Sequence, residues 1–376
     1  MASWDVIVIG LGGVGSAATY HLAAAGHRVL GIDQYPLAHD RGSSHGKTRI
    51  IRQAYFEHPA YVPLLRRAYE LWDDIERRAN QKLFYRTGLV EMGPADGVVI
   101  AGVLRSAAEH NLSVEQLPVS EIMRRWPGIV GHHDWHAVIE HNAGFLKVED
   151  CVRAHHQLAL QAGASCLHGV TVKAWEADGS GIQVVTDQGV ERADRLVVAG
   201  GPWNAVMLAA VHPYLQVLRK HQYWFEADQP GYEEQEGFPC FFHETPAGLF
   251  YGFPSIDGSG VKVARHSGGE RLHEPQASDH PPDQLDRALV DTYVATYLPG
   301  VSRRQIAEAG CYYTMTPDEH FILDVHPEQP QVTIVAGLSG HGFKFTSVLG
   351  EIASQLAISG STTQSISLFA LDRLGQ

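Results

Sequence analysis

Three features of this sequence have the types and spacing to do chemistry: a glycine run, a basic cluster, and a scatter of thiols and imidazoles. Gly10, Gly12 and Gly15 satisfy G-x-G-x-x-G. In that pattern the first glycine permits a tight turn, the second lets backbone approach a pyrophosphate, and the third lets a helix pack closely on its sheet. The helix N-terminus then offers N–H groups to the phosphates, and Asp33 stands where a carboxylate can hydrogen-bond ribose hydroxyls. Arg41, Lys47, Arg49 and Arg52 fall within twelve residues that contain no acid. The chain as a whole has 29 Lys and Arg against 42 Asp and Glu, a net charge of −13. That field repels polyanions and argues against nucleic acid as a partner, so an anionic ligand must be met by a local basic cluster such as this one. The four cysteines, Cys151, Cys166, Cys240 and Cys311, lack metal-type spacing and are too sparse for a disulfide framework. Among the 22 histidines no H-x-x-x-H pair with a carboxylate reads as a metal-binding helix, and no metal site is expected.

The elements that must position these residues can be read from periodicity. Residues 5–9 are a β-branched run of the buried parallel-strand kind, followed by the glycines, an Ala-rich helix over 16–25 and a second strand over 28–33 ending in Asp33. This is a βαβ unit. A helix is predicted over 61–78, where Leu64, Leu65, Ala68, Leu71, Trp72 and Ile75 form one apolar stripe. A second α/β stretch comprises a helix over 151–162, strands over 165–172 and 182–186, and a buried strand running through 194–203 to Ala-Gly-Gly-Pro-Trp. Aromatic, alternating segments at 221–227 and 249–264 suit an antiparallel sheet. The C-terminal part returns to α/β, with a strand over 332–336, a glycine-containing loop over 337–345 and a helix over 346–358. The nucleotide domain is therefore expected to be discontinuous. At 376 residues and 44% hydrophobic, the chain has room for about two domains. No run of about 18 apolar residues calls for a membrane helix, and the N-terminus enters a strand without a signal-peptide pattern. A cytoplasmic enzyme is expected. FAD and NAD share the glycine motif, so the glycines leave the cofactor open; the Ala-Gly-Gly-Pro-Trp strand and the C-terminal return to α/β are more typical of flavoproteins.

Five further segments carry a resemblance. They are Gly42-Ser-Ser-His-Gly-Lys-Thr-Arg-Ile-Ile-Arg52, Tyr251-Gly-Phe-Pro254, Cys311-Tyr-Tyr-Thr314, Pro317-Asp-Glu-His-Phe-Ile322 and Leu338-Ser-Gly-His-Gly-Phe-Lys-Phe345. Together, in this order over nearly the whole chain, they resemble the monomeric sarcosine oxidase and N-methyltryptophan oxidase family of FAD-dependent amine oxidoreductases. The resemblance implies a fold of class α/β plus α+β: a discontinuous Rossmann-like FAD-binding domain (1–84, 147–216 and 317–376) and a substrate domain on a large antiparallel sheet (85–146 and 217–316). It implies FAD bound covalently through an 8α-thioether to Cys311, with Gly10, Gly12, Gly15, Asp33, Thr48, Val172, Gly340 and Gly342 in the cofactor site. Arg52 and Lys344 match the cations that hold a substrate carboxylate, a bidentate fork and a point charge respectively. Phe242, Phe253 and His341 belong with them on the substrate side. Lys262 matches the lysine over the flavin that promotes its reaction with oxygen by electrostatic stabilisation. His266 matches a histidine near the amine, His45 and Arg49 match residues close to the flavin ring, and Tyr251 is a further active-site side chain.

The implied reaction is oxidative demethylation of a small secondary amine with a carboxylate, giving the primary amino acid, formaldehyde and hydrogen peroxide, with oxygen as acceptor and the protein acting as a monomer. Phe242 departs from the flexible methionine that sarcosine-preferring members tend to carry, which leaves pocket size and substrate open. Alternatives are a flavin-dependent dehydrogenase, an oxidase of a cyclic or other N-alkyl amino acid such as pipecolate, a NAD-dependent dehydrogenase, and a non-catalytic FAD-binding protein.

Overall fold

The computed structural model describes residues 4–179, 181–273, 275 and 283–375. Its first sheet has eight strands and begins where the β-branched run requires, at Trp4–Ile9. This strand pairs in parallel with Val29–Asp33 on one side and Val190–Val198 on the other, Val8 lying opposite both Gly31 and Val197. Ser165–His168 and Val332–Ala336 extend the parallel core outward. Parallel strands need both faces covered, and Ile7 and Val8 accordingly have no solvent exposure. One face is covered by helix Gly13–Ala24, which packs between Val148–Gln161 and Thr346–Ser359. A Cβ at Gly350 would sit 2.4 Å from the Ala17 Cβ, so small residues set the separation of the two inner helices.

The second sheet has nine strands in the order Glu270–Leu272, Gln216–Ala227, Val261–Arg265, Gly248–Phe253, Cys240–Thr245, Leu89–Gly93, His136–Glu140 and Glu115–Pro118, with Val301–Met315 on the free flank of Gln216–Ala227. Every pairing is antiparallel except that of Cys240–Thr245 with Leu89–Gly93. A three-stranded sheet of Thr48–Ile51, Gly144–Lys147 and Phe84–Tyr85 lies apart from both. The expected domain limits at 84/85 and 146/147 fall inside its strands.

Some expected elements differ. The helix expected over 16–25 begins at Gly13, because the glycine turn itself enters the helix. The strand expected over 165–172 stops at His168: Gly169 (φ +72°) turns the chain, and Val172–Asp178 is a separate strand antiparallel to Gly181–Thr186. The stretch 249–264 divides into Gly248–Phe253 and Val261–Arg265, because a turn through Asp257 and Gly258, both at positive φ, reverses it. Phe343–Phe345, expected as loop, is a 3-10 turn leading into the last helix. Among the described residues no helix is long and apolar enough to cross a membrane, all four cysteines are free, and no cluster could hold a metal ion.

Candidate active site

A cavity of about 1130 Å³ runs from the glycine loop to the second sheet. At its first end much of the wall is backbone. Gly10 has φ +88°, and a Cβ there would lie 2.6 Å from the Ala199 carbonyl oxygen. At Gly15 a Cβ would come within 1.7 Å of the Gly10 carbonyl oxygen, so helix and turn can approach only with glycine at this position. The Leu11 N–H donates to Asp33 Oδ2 (2.7 Å), the Tyr35 N–H to Asp33 Oδ1 (2.9 Å) and the Gly13 N–H to Ser44 Oγ (3.0 Å). Gly12, Asp33, Val172, Gly340 and Gly342 line this cavity with Gly10. Thr346, at the start of the last helix, also lines it, and its buried Oγ1 has no partner among the described residues. A narrow glycine turn at a helix N-terminus, an open path for an extended molecule and an unpartnered hydroxyl fit a dinucleotide such as FAD.

At the other end the wall is side chains. Arg52 follows strand Thr48–Ile51 and is 3% exposed. Its guanidinium lies over the rings of Tyr55 (4.6 Å) and Phe56 (4.3 Å), donates from Nη2 to both Glu57 oxygens (2.9 Å each), and donates from Nη1 to Glu91 Oε1 (3.1 Å). Burial opposes its charge, but the two carboxylates outweigh that and raise its pKa. Lys344, on the 3-10 turn, donates to the His341 carbonyl (2.9 Å) and the Tyr55 hydroxyl (3.3 Å). Burial, then the neighbouring Arg52 charge, pushes Lys344 down to about 7. His341 Nδ1 lies 2.6 Å from the Tyr55 hydroxyl, and burial holds this imidazole neutral, far below its usual range.

The second sheet completes this end. Phe242 and Tyr251 are register partners whose rings are 6.4 Å apart and nearly parallel at 13°. His266 stands against Phe242 (5.7 Å), its Nδ1 3.2 Å from the Tyr313 hydroxyl. Burial pushes His266 down to about 3, so it is neutral at ordinary pH. Arg49 reaches the cavity from strand Thr48–Ile51 and donates to the Ser43 and Thr48 carbonyls and to Gln222 Oε1.

Thirteen of the expected site residues therefore line one cavity: Arg49, Arg52, Phe242, Tyr251, His266, His341 and Lys344 with Gly10, Gly12, Asp33, Val172, Gly340 and Gly342. Six do not. Gly15 lies beneath the turn, which its packing role requires. Cys311 is buried, while Tyr312, Tyr313 and Thr314 after it line the cavity. Lys262 is buried behind the wall and donates to the Gly46 carbonyl (2.6 Å), the Thr48 carbonyl (2.9 Å) and Thr48 Oγ1 (3.2 Å). Thr48 is thereby occupied with Lys262. Burial, then Arg49, lowers the Lys262 pKa well below its ordinary value. His45 is also behind the wall, pushed down to about 4 by burial and Arg49, and its Nε2 has no partner among the described residues. Phe253, expected on the substrate side, is wholly buried against Phe145 and under the Lys262 ammonium (4.8 Å), behind the residues that line the cavity.

Sequence reasoning missed several residues that shape the site. Glu57 lines the cavity beside Arg52, and Glu91 sits behind it. Tyr313 and Ser44 line the cavity, and Tyr55 is buried behind it, held to His341 and Lys344 by the hydrogen bonds above. Glu57 had one local signal, being five residues from Arg52. Glu91 had a subtler one: it is the acid in the otherwise apolar strand Leu89–Gly93.

Comparison with known proteins agrees with this geometry. Residues 5–356 match a family model described as FAD dependent oxidoreductase. The chain is 39% identical to monomeric sarcosine oxidase of Arthrobacter sp. (strain TE1826), covering 98% of this chain and 96% of that one. It is 37% identical to N-methyl-L-tryptophan oxidase of Citrobacter koseri, covering 99% of this chain and all of that one. Among solved structures it is similar to NikD, an unusual amino acid oxidase essential for nikkomycin biosynthesis, with a TM-score of 0.86, 25% identity and 98% of each chain covered. The L-proline dehydrogenase of P. horikoshii, at 20% identity and a TM-score of 0.85, shares the fold.

Proposed function

Since the chain belongs to the FAD dependent oxidoreductase family, we propose that it oxidises a small secondary amine bearing a carboxylate, an N-methyl amino acid of the sarcosine or N-methyl-L-tryptophan type. The net reaction is amine plus oxygen plus water giving the primary amino acid, formaldehyde and hydrogen peroxide. The observation that carries this reading is the pair of buried cations, Arg52 and Lys344, at the end of the cavity away from the glycine loop. FAD, when bound, supplies the two-electron acceptor and its reoxidation by oxygen.

The chain's own residues bind, orient and exclude water. Arg52 offers a fork to a carboxylate and Lys344 a point charge. Glu57 is the partner of Arg52 that lies in the cavity wall, so an incoming carboxylate competes with Glu57 for Nη2. Fixing the carboxylate there leaves the N-methyl group between the Phe242, Tyr251 and His266 rings, an orientation effect. Neutral His266 and the two cations favour an unprotonated amine. Gly10, Gly12, Asp33, Val172, Gly340 and Gly342 are assigned to the cofactor. Lys262, held by three acceptors close behind Arg49 and Thr48, is assigned to stabilising negative charge that develops on oxygen. Cys311 is assigned to a thioether with the flavin, because it directly precedes the Tyr312–Thr314 stretch of the cavity wall. The flat, nearly parallel rings of Phe242 and Tyr251 favour a second reading in which the substrate is a cyclic N-alkyl amino acid such as pipecolate.

An oxygen-consumption panel with formaldehyde assay separates these readings. Sarcosine or N-methyl-L-tryptophan should give formaldehyde in step with oxygen uptake; turnover of pipecolate alone would transfer the assignment to the cyclic amine. Acid-precipitated enzyme should retain yellow flavin absorbance in the pellet, and colour left wholly in the supernatant would remove the Cys311 linkage.

A further inference from the structure

Arg52 has two carboxylate partners, and they are not equivalent. Glu57 is in the cavity wall; Glu91 is wholly buried behind the guanidinium, with Oε1 3.1 Å from Nη1. The other oxygen of Glu91 has no hydrogen-bond partner among the described residues. Glu91 lies inside the second sheet, where its register partners Phe242 and Val138 share its face and are apolar. A carboxylate in such a place is costly unless it is paired or protonated.

The charged groups facing Glu91 come from three directions. Arg52 and Glu57 follow strand Thr48–Ile51, Glu140 ends strand His136–Glu140, and Lys344 lies on the 3-10 turn. With all of them ionised, carboxylates already outnumber cations, and a bound substrate carboxylate adds another negative charge. Burial raises the Glu140 carboxyl as well, but its oxygens accept from the Gln53 and Ala54 N–H groups at 2.7–3.0 Å, which oppose protonation, whereas the outer oxygen of Glu91 has no such donor among the described residues. Glu57 differs from both in being partly exposed, in the cavity wall.

Building on the proposed carboxylate site, we infer that Glu91 is a positioning residue for Arg52 and the proton acceptor of that site, taking up a proton when an anionic substrate docks on the guanidinium. Protonation leaves Arg52 with its full charge toward the substrate while the Glu91 carbonyl oxygen still holds Nη1 in place. Burial pushes the Glu91 carboxyl up to about 8, against the opposing pull of Arg52, so the exchange falls in an accessible pH range. The sign follows by linkage: binding that takes up a proton weakens as pH rises, here through the region around 8. Lys344 adds a similar uptake around 7.

The test is calorimetric titration of the holoenzyme with 2-furoate, a carboxylate with no amine to titrate, from pH 7 to 9 in buffers of different ionisation enthalpy. Wild type should take up protons on binding and weaken steadily over that range. Glu91→Gln should lose the share of uptake centred near 8 and bind furoate about tenfold more tightly than wild type at pH 9. A purely structural role for Glu91 would instead weaken binding at every pH. Infrared difference spectra of wild type at pH 9, where the free carboxyl is mostly ionised, should show a protonated-carboxyl band growing on furoate binding, a readout that does not depend on a variant folding. Furoate binding that requires Arg52 but shows no such band, or unchanged proton uptake in Glu91→Gln, overturns the inference alone. No furoate binding, or binding indifferent to Arg52→Met, overturns the carboxylate-site reading together with it.

Discussion

At its glycine-loop end much of the cavity wall is backbone, and the carboxylate of Asp33 accepts hydrogen bonds from the nearby Leu11 and Tyr35 amides. At its other end side chains from segments far apart in sequence gather two cations and three carboxylates around Arg52. The first region tolerates an anion through geometry, with partial charges on N–H groups fixed by the fold. The second does so through formal charges in a buried setting, where protonation states respond to what is bound. Changes at the glycines of the first end should therefore be steric and nearly independent of pH, and changes at the second end should be electrostatic and dependent on pH.

The largest effect is expected at the backbone end. Gly15→Val places a side chain where a Cβ alone would be 1.7 Å from the Gly10 carbonyl oxygen. Neither atom can yield without breaking the turn, so the purified variant should contain essentially no flavin by absorbance; a normally loaded Gly15→Val would break the comparison. Next comes Arg52→Met, which removes the fork that meets the substrate carboxylate. Truncating one partner of a buried, hydrogen-bonded charge pair between protein and ligand costs about 2–5 kcal/mol, and we expect kcat/KM for a carboxylated amine to fall about 10²–10³-fold with flavin content unchanged. The smallest and most discriminating effect is that of pH. Lys344, pushed down to about 7, is charged below that value and loses its proton above it. Carboxylate affinity should therefore decline as pH rises past 7, and Lys344→Arg, whose guanidinium does not titrate in this range, should move the onset of the decline up toward 8. An unchanged onset in Lys344→Arg, measured by furoate titration, would remove the lysine from the charged end.

The same contrast accounts for what could be read without coordinates. The glycine turn, its helix and Asp33 lie within a short stretch whose steric rules are local, so residue type and order sufficed to place them. The charged end depends on which strands become neighbours. Phe242 faces Glu91 only because Cys240–Thr245 pairs in parallel with Leu89–Gly93, a pairing across about 150 residues that no periodicity reveals. Arg52 and Lys344 were legible as isolated cations through the resemblance, but their carboxylate partners were not. The surroundings of Phe253 were illegible for a related reason: it shares a strand with Tyr251, but at the end of that strand Phe145 and Lys262 cover its ring. The break between Ser165–His168 and Val172–Asp178 was missed because Gly169 looks like any surface glycine in sequence, and its positive φ is visible only in the fold.

The central claim is that oxidation depends on a substrate carboxylate held by the Arg52 end of the cavity. It is tested most directly by mixing the enzyme anaerobically with matched amines, N-methyl-L-tryptophan against N-methyltryptamine and sarcosine against dimethylamine, and following loss of oxidised-flavin absorbance. The account predicts rapid bleaching by at least one carboxylated member and little or none by its counterpart lacking the carboxylate. Equal bleaching rates within both pairs would contradict it.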